Sequence, residues 1–366
     1  MAAVRLLLAA AGLLSLIGGG APAAPGVQLL YANRSGPIDS FAQDGGLLAW
    51  FAPGTHRCNQ VRVVSLDATQ EALPKQSSTN VTCRWDLAGS TPRLAVAAAT
   101  GATVWTLHEH GSADFDYVVG AGVRQPIERR FVQITHSRAG AGLWLGGVAG
   151  AGRTLVYSMA NVAYVNEVDC LGGGGCRERI HGGGIQRVVG RKENRVPHTG
   201  PALEVAAAAG RIAYVPAVGV GPGGRPTPSS LRAIPVRTAG LGTLVTRVAP
   251  HGMPLAIALA PHVLAVMTRS GPRTRISWYD PQHGDELGSV RVAKTAAHAL
   301  STSDQDVVYR VGRAVHTIDL GDGTDEKLTT THTRPIGLSI EGSRVAWAEN
   351  VHGQGLVRAV FLRGRG

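Results

Sequence analysis

The sequence predicts an all-β fold, a seven-bladed β-propeller closed by an N-terminal strand that completes the last blade. Three observations predict it. One strand–turn–strand unit recurs seven times, at intervals of roughly 40 to 55 residues, about the length of a four-stranded blade. Apolar residues alternate over short runs instead of recurring with helical spacing, and 49 glycines and 20 prolines punctuate those runs. The last copy lacks a fourth strand, while a spare strand stands ahead of the first. A solenoid repeat would be shorter, and a sandwich would not repeat so often.

The chain of 366 residues opens on an expected export signal. Met1–Arg5 is a short positive start, Leu6–Ile17 an apolar run too short to span a bilayer comfortably, and Ala21-Pro22-Ala23 a small-x-small cleavage pattern. Residues 1–24 are therefore set apart as a signal peptide, and 25–366 are read as one propeller domain. No later segment is long and apolar enough to cross a membrane.

The blades follow in order. Their expected bounds are 37–86, 92–135, 141–191, 201–248, 254–292, 297–330 and 335–361, the last completed by 27–31. Each opens with an alternating strand, often led by proline (Pro37, Pro92, Pro201, Pro254, Pro335), which suits a first strand position because no ladder donor is lost there. A turn such as Asp44-Gly45-Gly46 leads to a second strand with two small or β-branched residues and an aromatic. These are Leu48-Ala49-Trp50, Thr103-Val104-Trp105, Leu155-Val156-Tyr157, Ile212-Ala213-Tyr214, Val307-Val308-Tyr309 and Val345-Ala346-Trp347, with Leu264-Ala265-Val266 as the departure. Third strands are expected at 61–66, 116–119, 164–168, 231–236, 275–279, 314–320 and 356–361. Fourth strands are expected at 81–85, 131–135, 185–189, 244–248, 287–292 and 326–330. The segment Val27–Tyr31 is expected beside Leu356–Phe361, since an unpaired edge would invite aggregation.

The stretches Ser40–Trp50 and Leu338–Trp347, with Val63-Val64-Ser65-Leu66-Asp67 as a third strand ending in aspartate, resemble the TolB-like and WD40-like bacterial propeller repeats. The resemblance covers the mature chain but is degenerate, and Asp-Gly is lost in most copies. It implies protein or ligand binding in the cell envelope and implies no reaction.

Searching for chemistry finds no specific constellation. There is no G-x-S-x-G elbow, H-E-x-x-H helix or EF-hand loop. Gly219–Gly224 matches G-x-G-x-x-G literally but lies in the Pro/Gly-rich segment Pro216–Ser230 and opens no helix, so a loop is expected. Asp319–Asp325 sits where a hairpin turn belongs. His108-Glu109-His110 is the most metal-like cluster, because both histidines face one way on an extended chain. No third ligand is evident locally, so a solvent-exposed loop is expected there and no metal or other cofactor is assigned. Asn33-Arg34-Ser35 and Asn80-Val81-Thr82 match the glycosylation sequon by chance in a chain of bacterial character.

Four cysteines suit an oxidising compartment. Cys170 and Cys176 flank Leu171 and four glycines, which let a short loop close, leaving Cys58 with Cys83. Zinc is the rival reading, but it calls for tighter C-x-x-C pairs, which are absent. The formal charge is +11, nearly all from arginine, since the only lysines are Lys75, Lys192, Lys294 and Lys327. Such a chain attracts anionic wall polymers or lipid headgroups nonspecifically. Nucleic acid is not expected of an exported chain without a binding motif.

Sorting loops by blade edge suggests two unlike faces. The edge carrying second-to-third-strand loops and blade-to-blade connections receives the candidate ligand-binding residues His56, Arg57, His108, His110, His198, His251, Arg269, Arg273, His332, Arg334 and His352. The opposite edge collects Asp44, Asp280, Asp285, Glu286, Asp304, Asp322, Asp325 and Glu341 among others. Turn chemistry that favours aspartate explains part of this sorting. An anion-binding His/Arg face is the sharper expectation, and its affinity should rise in acid. The cluster Arg177, Arg179, Arg187, Arg191, Lys192 and Arg195 is expected to be a solvated outer edge that resists strand pairing.

The chain thus reads as an exported, noncatalytic scaffold for a protein or an anionic envelope polymer. The alternative is a propeller hydrolase, glycosidase- or lactonase-like, acting at the mouth of the central channel. Among the expected channel-lining strands only Glu204 and His298 carry suitable groups. Three or more carboxylates or histidines meeting at one mouth would favour the enzyme.

Overall fold

The computed structural model describes residues 26–33, 36–53, 59–66, 76–82, 92–110, 115–122, 127–131, 142–164, 178–190, 192–220, 226–228, 233–270, 272–293 and 299–362. Among them there is no helix, and every element is a strand. Among the described residues no helix is long and apolar enough to cross a membrane. The expected signal segment and all four cysteines lie outside the described residues.

The chain is a β-propeller. Strand β1 (Gln28–Asn33) stands first. Blade one is β2 (Ser40–Asp44), β3 (Leu47–Pro53), β4 (Asn59–Ser65) and β5 (Gln76–Thr82). Blade two is β6 (Arg93–Ala97), β7 (Ala102–His110), β8 (Phe115–Gly122) and β9 (Ile127–Phe131). Blade three is β10 (Gly142–Ala151), β11 (Thr154–Tyr164), β12 (Glu178–Val189) and β13 (Lys192–Arg195). Blade four is β14 (Ala202–Ala208), β15 (Arg211–Val220), β17 (Ile234–Thr238) and β18 (Leu244–Val248), with β16 (Pro226–Pro228) folding back on β15. Blade five is β19 (Pro254–Leu259), β20 (Leu264–Ser270), β21 (Arg273–Tyr279) and β22 (Glu286–Val292). Blade six is β23 (Leu300–Thr302), β24 (Asp306–Val311), β25 (Ala314–Asp319) and β26 (Asp325–Thr330).

The remaining sheet is composite. Its order is β1 beside β29 (Gln354–Phe361), then β28 (Arg344–Val351) and β27 (Ile336–Glu341). Seven blades were expected, the last completed by the N-terminal strand; six blades are self-contained, and the remaining sheet joins the two ends of the chain in that way. Strand β1 runs antiparallel to β29, with Gln28 opposite Ala359 and Asn33 opposite Gly355. The first strand of each blade contacts the first strand of the next, and β27 returns to β2, so these strands surround a central channel.

The repeat has a packing cause. Each second strand turns its aromatic toward the preceding blade. Trp105 packs with Leu47, Phe51 and Val63 of blade one, and Trp347 packs with Val308 and Val315 of blade six. Trp50 closes the wheel against Ala346, Ala348 and Val357. These three tryptophans are at most 1% exposed. Blade five has Val266 at this place, and Tyr279 from its third strand fills the same cluster. Leu264 faces Tyr279 and Val266 faces Ser277 across the pair, so the larger ring sits two residues along on the same face.

Several expected strands shift. In blade three, 164–168 and 185–189 were expected as third and fourth strands. Instead β11 runs on to Tyr164, β12 is the third strand, and β13 is the fourth. The glycines 182–184 look like a loop in sequence, yet they lie inside β12. At Gly183, with φ 112°, an added Cβ would stand 2.3 Å from the Met159 carbonyl oxygen, so the strand passes its neighbour only with glycine there. Strands β5 and β9 begin earlier than expected, and β15 extends through Val220 into the segment expected to be loop. The 319–325 segment is a turn, with the Asp319 carboxylate accepting from the Gly321 amide at 2.7 Å.

Candidate functional site

Antiparallel order puts first-to-second and third-to-fourth turns on one edge of the wheel. Second-to-third loops and blade connections fall on the other. At the first edge the channel opens into a cavity of about 640 Å³. It is walled by the first turns of blades one and three to six and of the composite sheet, and Asp44, Asp304 and Glu341 line it.

These three carboxylates are engaged in holding blades together. One oxygen of Asp44, Oδ2, accepts the Ala98 amide of blade two at 2.6 Å and the Gly152 amide of blade three at 2.7 Å. Burial pushes the Asp44 carboxyl above its ordinary range against those two bonds, and the charge of Glu341 adds to the rise. Glu341 of the last blade accepts the Gly46 amide at 3.0 and 3.1 Å and pairs with Arg344 at 2.5 Å. Asp304 of blade six accepts the His262 amide of blade five at 2.7 Å and meets its ring nitrogen at 3.0 Å. The same edge carries Asp280 paired with His283 at 2.7 Å. That bond lowers the Asp280 carboxyl and raises the His283 imidazole. Asp280, Asp304 and Glu341 thus meet a basic side chain, whereas Asp44 is held by backbone amides alone. Glu204, from β14, is held by Arg93 of β6 at 3.4 Å. His298 lies outside the described residues.

The sequence-selected candidates divide into three groups. His56 and Arg57 lie outside the described residues. His108 and His110 were expected in a loop, but the backbone places them at the end of β7, opposite Tyr117 and Phe115. A strand that continues past its polar end looks like a loop in composition alone. Among the described residues no group of three or more His, Cys, Asp or Glu is placed to hold a metal.

The other seven candidates are exposed on the second edge. His198, His251, His332 and Arg334 sit on blade connections, while Arg269, Arg273 and His352 sit at second-to-third loops. His198 and His352 adopt φ 56° and 50°, a turn conformation histidine enters more readily than most side chains. Two of the seven have acidic partners. His251 meets Glu286 at 3.1 Å, although sorting placed Glu286 on the opposite edge. His332 meets Glu349 at 3.4 Å. His198, Arg269, Arg273, Arg334 and His352 form no ion pair among the described residues.

Sequence reasoning missed two buried charges at this edge. Glu349, fully buried in β28, pairs with Arg358 and accepts the His332 amide at 3.0 Å. Arg310, 6% exposed in β24, donates from Nη1 to the Pro335 carbonyl at 2.6 Å. Their signal was a charged residue one or two places after the second-strand aromatic, in Tyr309-Arg310 and Trp347-Ala348-Glu349.

No family model and no curated protein matches this chain. Solved structures do. The crystal structure of a mitotic checkpoint complex is similar at a TM-score of 0.50 and 10% identity, over 99% of this chain and 99% of that one. The WD40 domain of Neurospora crassa Pan2 gives 0.45 at 12% identity, over 90% and 91%. An uncharacterized Listeria monocytogenes protein gives 0.47 at 8% identity, over 88% and 92%. At such identities the likeness speaks to fold alone, and that fold is the β-propeller.

Proposed function

We propose that this chain is an exported, noncatalytic seven-bladed propeller, TolB-like in its repeats. In this reading it binds a protein or an anionic cell-envelope component through its second edge. The observation that carries the reading is the contrast in charge pairing. Carboxylates at the cavity mouth are taken up by neighbouring blades, whereas Arg269, Arg273, Arg334, His198 and His352 are exposed on the second edge without ion pairs among the described residues. Such a surface attracts anions and speeds their encounter. Residues 1–24 would direct export, and paired cysteines would suit the destination.

Binding of an anionic polymer to the mature chain, followed from about pH 8 to about pH 5.5, tests this, because histidine gains charge over that range. Affinity is expected to rise in acid and to fall with salt. A flat profile removes the reading.

A second reading, a hydrolase at the cavity, has one observation in its favour: Asp44, Asp304 and Glu341 share one mouth. Turnover of glycoside or lactone substrates that is lost in Glu341→Gln with the fold intact would establish it.

A further inference from the structure

Arg310 is a buried cation without an acidic partner. The residue that follows the second-strand aromatic is Phe51, Thr106, Ser158, Val215, Met267, Arg310 and Ala348 in successive blades, so only blade six has a charge there. Latching one blade to the next does not require it. In blade three, Ser158 makes the equivalent link with a neutral hydroxyl, which accepts the Ala202 amide at 2.7 Å. Arg310 makes its link, to Pro335 at the entry to the last sheet, with Nη1 alone. Its Nε is buried and meets no acceptor, and no bond from Nη2 is found among the described residues. Nε and Nη2 form one edge of the guanidinium fork, the edge that grips two oxygens of a single oxyanion.

The surroundings sharpen the point. The charge acting on Arg310 is a second cation, the exposed Arg334, one residue before Pro335. Burial and that neighbour push the guanidinium down to about 10. Thr333, on the same connection, has a buried hydroxyl without a partner. The nearby Glu349 is already taken by Arg358 and the His332 amide. Burying an unpaired charge is costly, and a bound anion offsets that cost.

We propose that the junction of blade six and the composite sheet holds an oxyanion subsite, with Arg310 at its base and Arg334 at its rim, that receives a carboxylate or phosphate group. The subsite rests on the second edge being the binding surface, and it names where on that surface the anionic group is gripped.

The test is calorimetric titration of the mature chain with inorganic phosphate and, separately, with succinate, at constant ionic strength with chloride as the reference anion. The two arms distinguish phosphate from carboxylate as the preferred group. One site is expected for at least one probe. Arg334→Ala, at an exposed position, is expected to weaken it at least about tenfold, the loss of one charge-assisted contact. Arg310→Met is expected to abolish it while the melting temperature holds or rises, since an apolar side chain of similar volume removes the unpaired charge. Arg153→Ala, exposed in the β10–β11 turn on the opposite edge, is expected to leave the probe's affinity unchanged. Probe binding that survives both Arg310→Met and Arg334→Ala but is lost in Arg269→Ala/Arg273→Ala overturns the subsite and leaves the surface standing. Absence of any oxyanion site in the wild-type chain overturns the subsite, and pH-dependent polymer binding then decides the surface separately.

Discussion

Asp44 offers a direct measure of how the channel-mouth carboxylates serve the fold. A single oxygen accepts two amides from two other blades, Ala98 and Gly152. Hydrogen bonds to a charged group contribute ~1.5–3 kcal/mol each, so the pair is worth about 3–6 kcal/mol before the cost of burying the carboxylate. That cost is real, because burial raises the Asp44 carboxyl despite both bonds. A net loss of about 3 kcal/mol is expected for Asp44→Ala. Asp44→Asn keeps one carbonyl oxygen able to accept both amides and relieves the repulsion with Glu341, so about 1 kcal/mol is expected. For a chain of this length each kcal/mol moves the melting temperature by roughly 1–2 °C. Circular-dichroism melts should therefore fall by about 3–6 °C for alanine and by about 1–2 °C for asparagine.

The pH dependence carries a sign. A carboxyl raised in the folded state contributes stability that is fully present below its unfolded value, near ~3.9, and is lost as pH rises through the folded value. Acidification should thus stabilise the wild type relative to Asp44→Asn. Equal melting temperatures for all three proteins would show that the bonds carry no net stability. An asparagine variant as weak as the alanine one would show that charge, not the shared acceptor, is what matters.

Two other substitutions probe how the wheel closes. Gly337→Ala and Gly342→Ala both place a side chain at positive φ, 59° and 54°. An added Cβ at Gly337 would stand 2.1 Å from the Phe41 carbonyl oxygen of blade one, while at Gly342 it meets nothing within 4 Å. Both should lose ~1–2 kcal/mol of stability to left-handed strain, and only Gly337→Ala should lose much more in thermal melts. Removing residues 26–33 strips β1 from β29 and leaves an unpaired edge in the composite sheet. Light scattering should show concentration-dependent association, and a monodisperse monomer of unchanged stability would contradict the closure.

Much of the fold was legible because its cause is periodic. Six of the seven copies carry a small, alternating second strand with an aromatic turned toward the sheet before it, from Trp50 to Trp347, and in blade five Tyr279 of the third strand takes that place. The spare strand at the N-terminus was legible from the missing one at the C-terminus. Blade three was misread, with its outer strands expected at 164–168 and 185–189, and only the close pass of β12 over Met159 shows why glycines 182–184 belong in a strand. Loop sorting placed His251 and Glu286 on opposite edges, yet long side chains bring them to 3.1 Å.

By itself the sequence determined the class of fold and the closure of the last sheet by the N-terminal strand, since these follow from alternation and connectivity. The tertiary structure alone decided which charges are used up. Asp44 and Glu341 accept amides of other blades and Glu349 is taken by Arg358 and the His332 amide, while Arg310 is buried without an acid. Pairing of that kind depends on angstrom-scale contacts between blades, and residue order does not encode those distances.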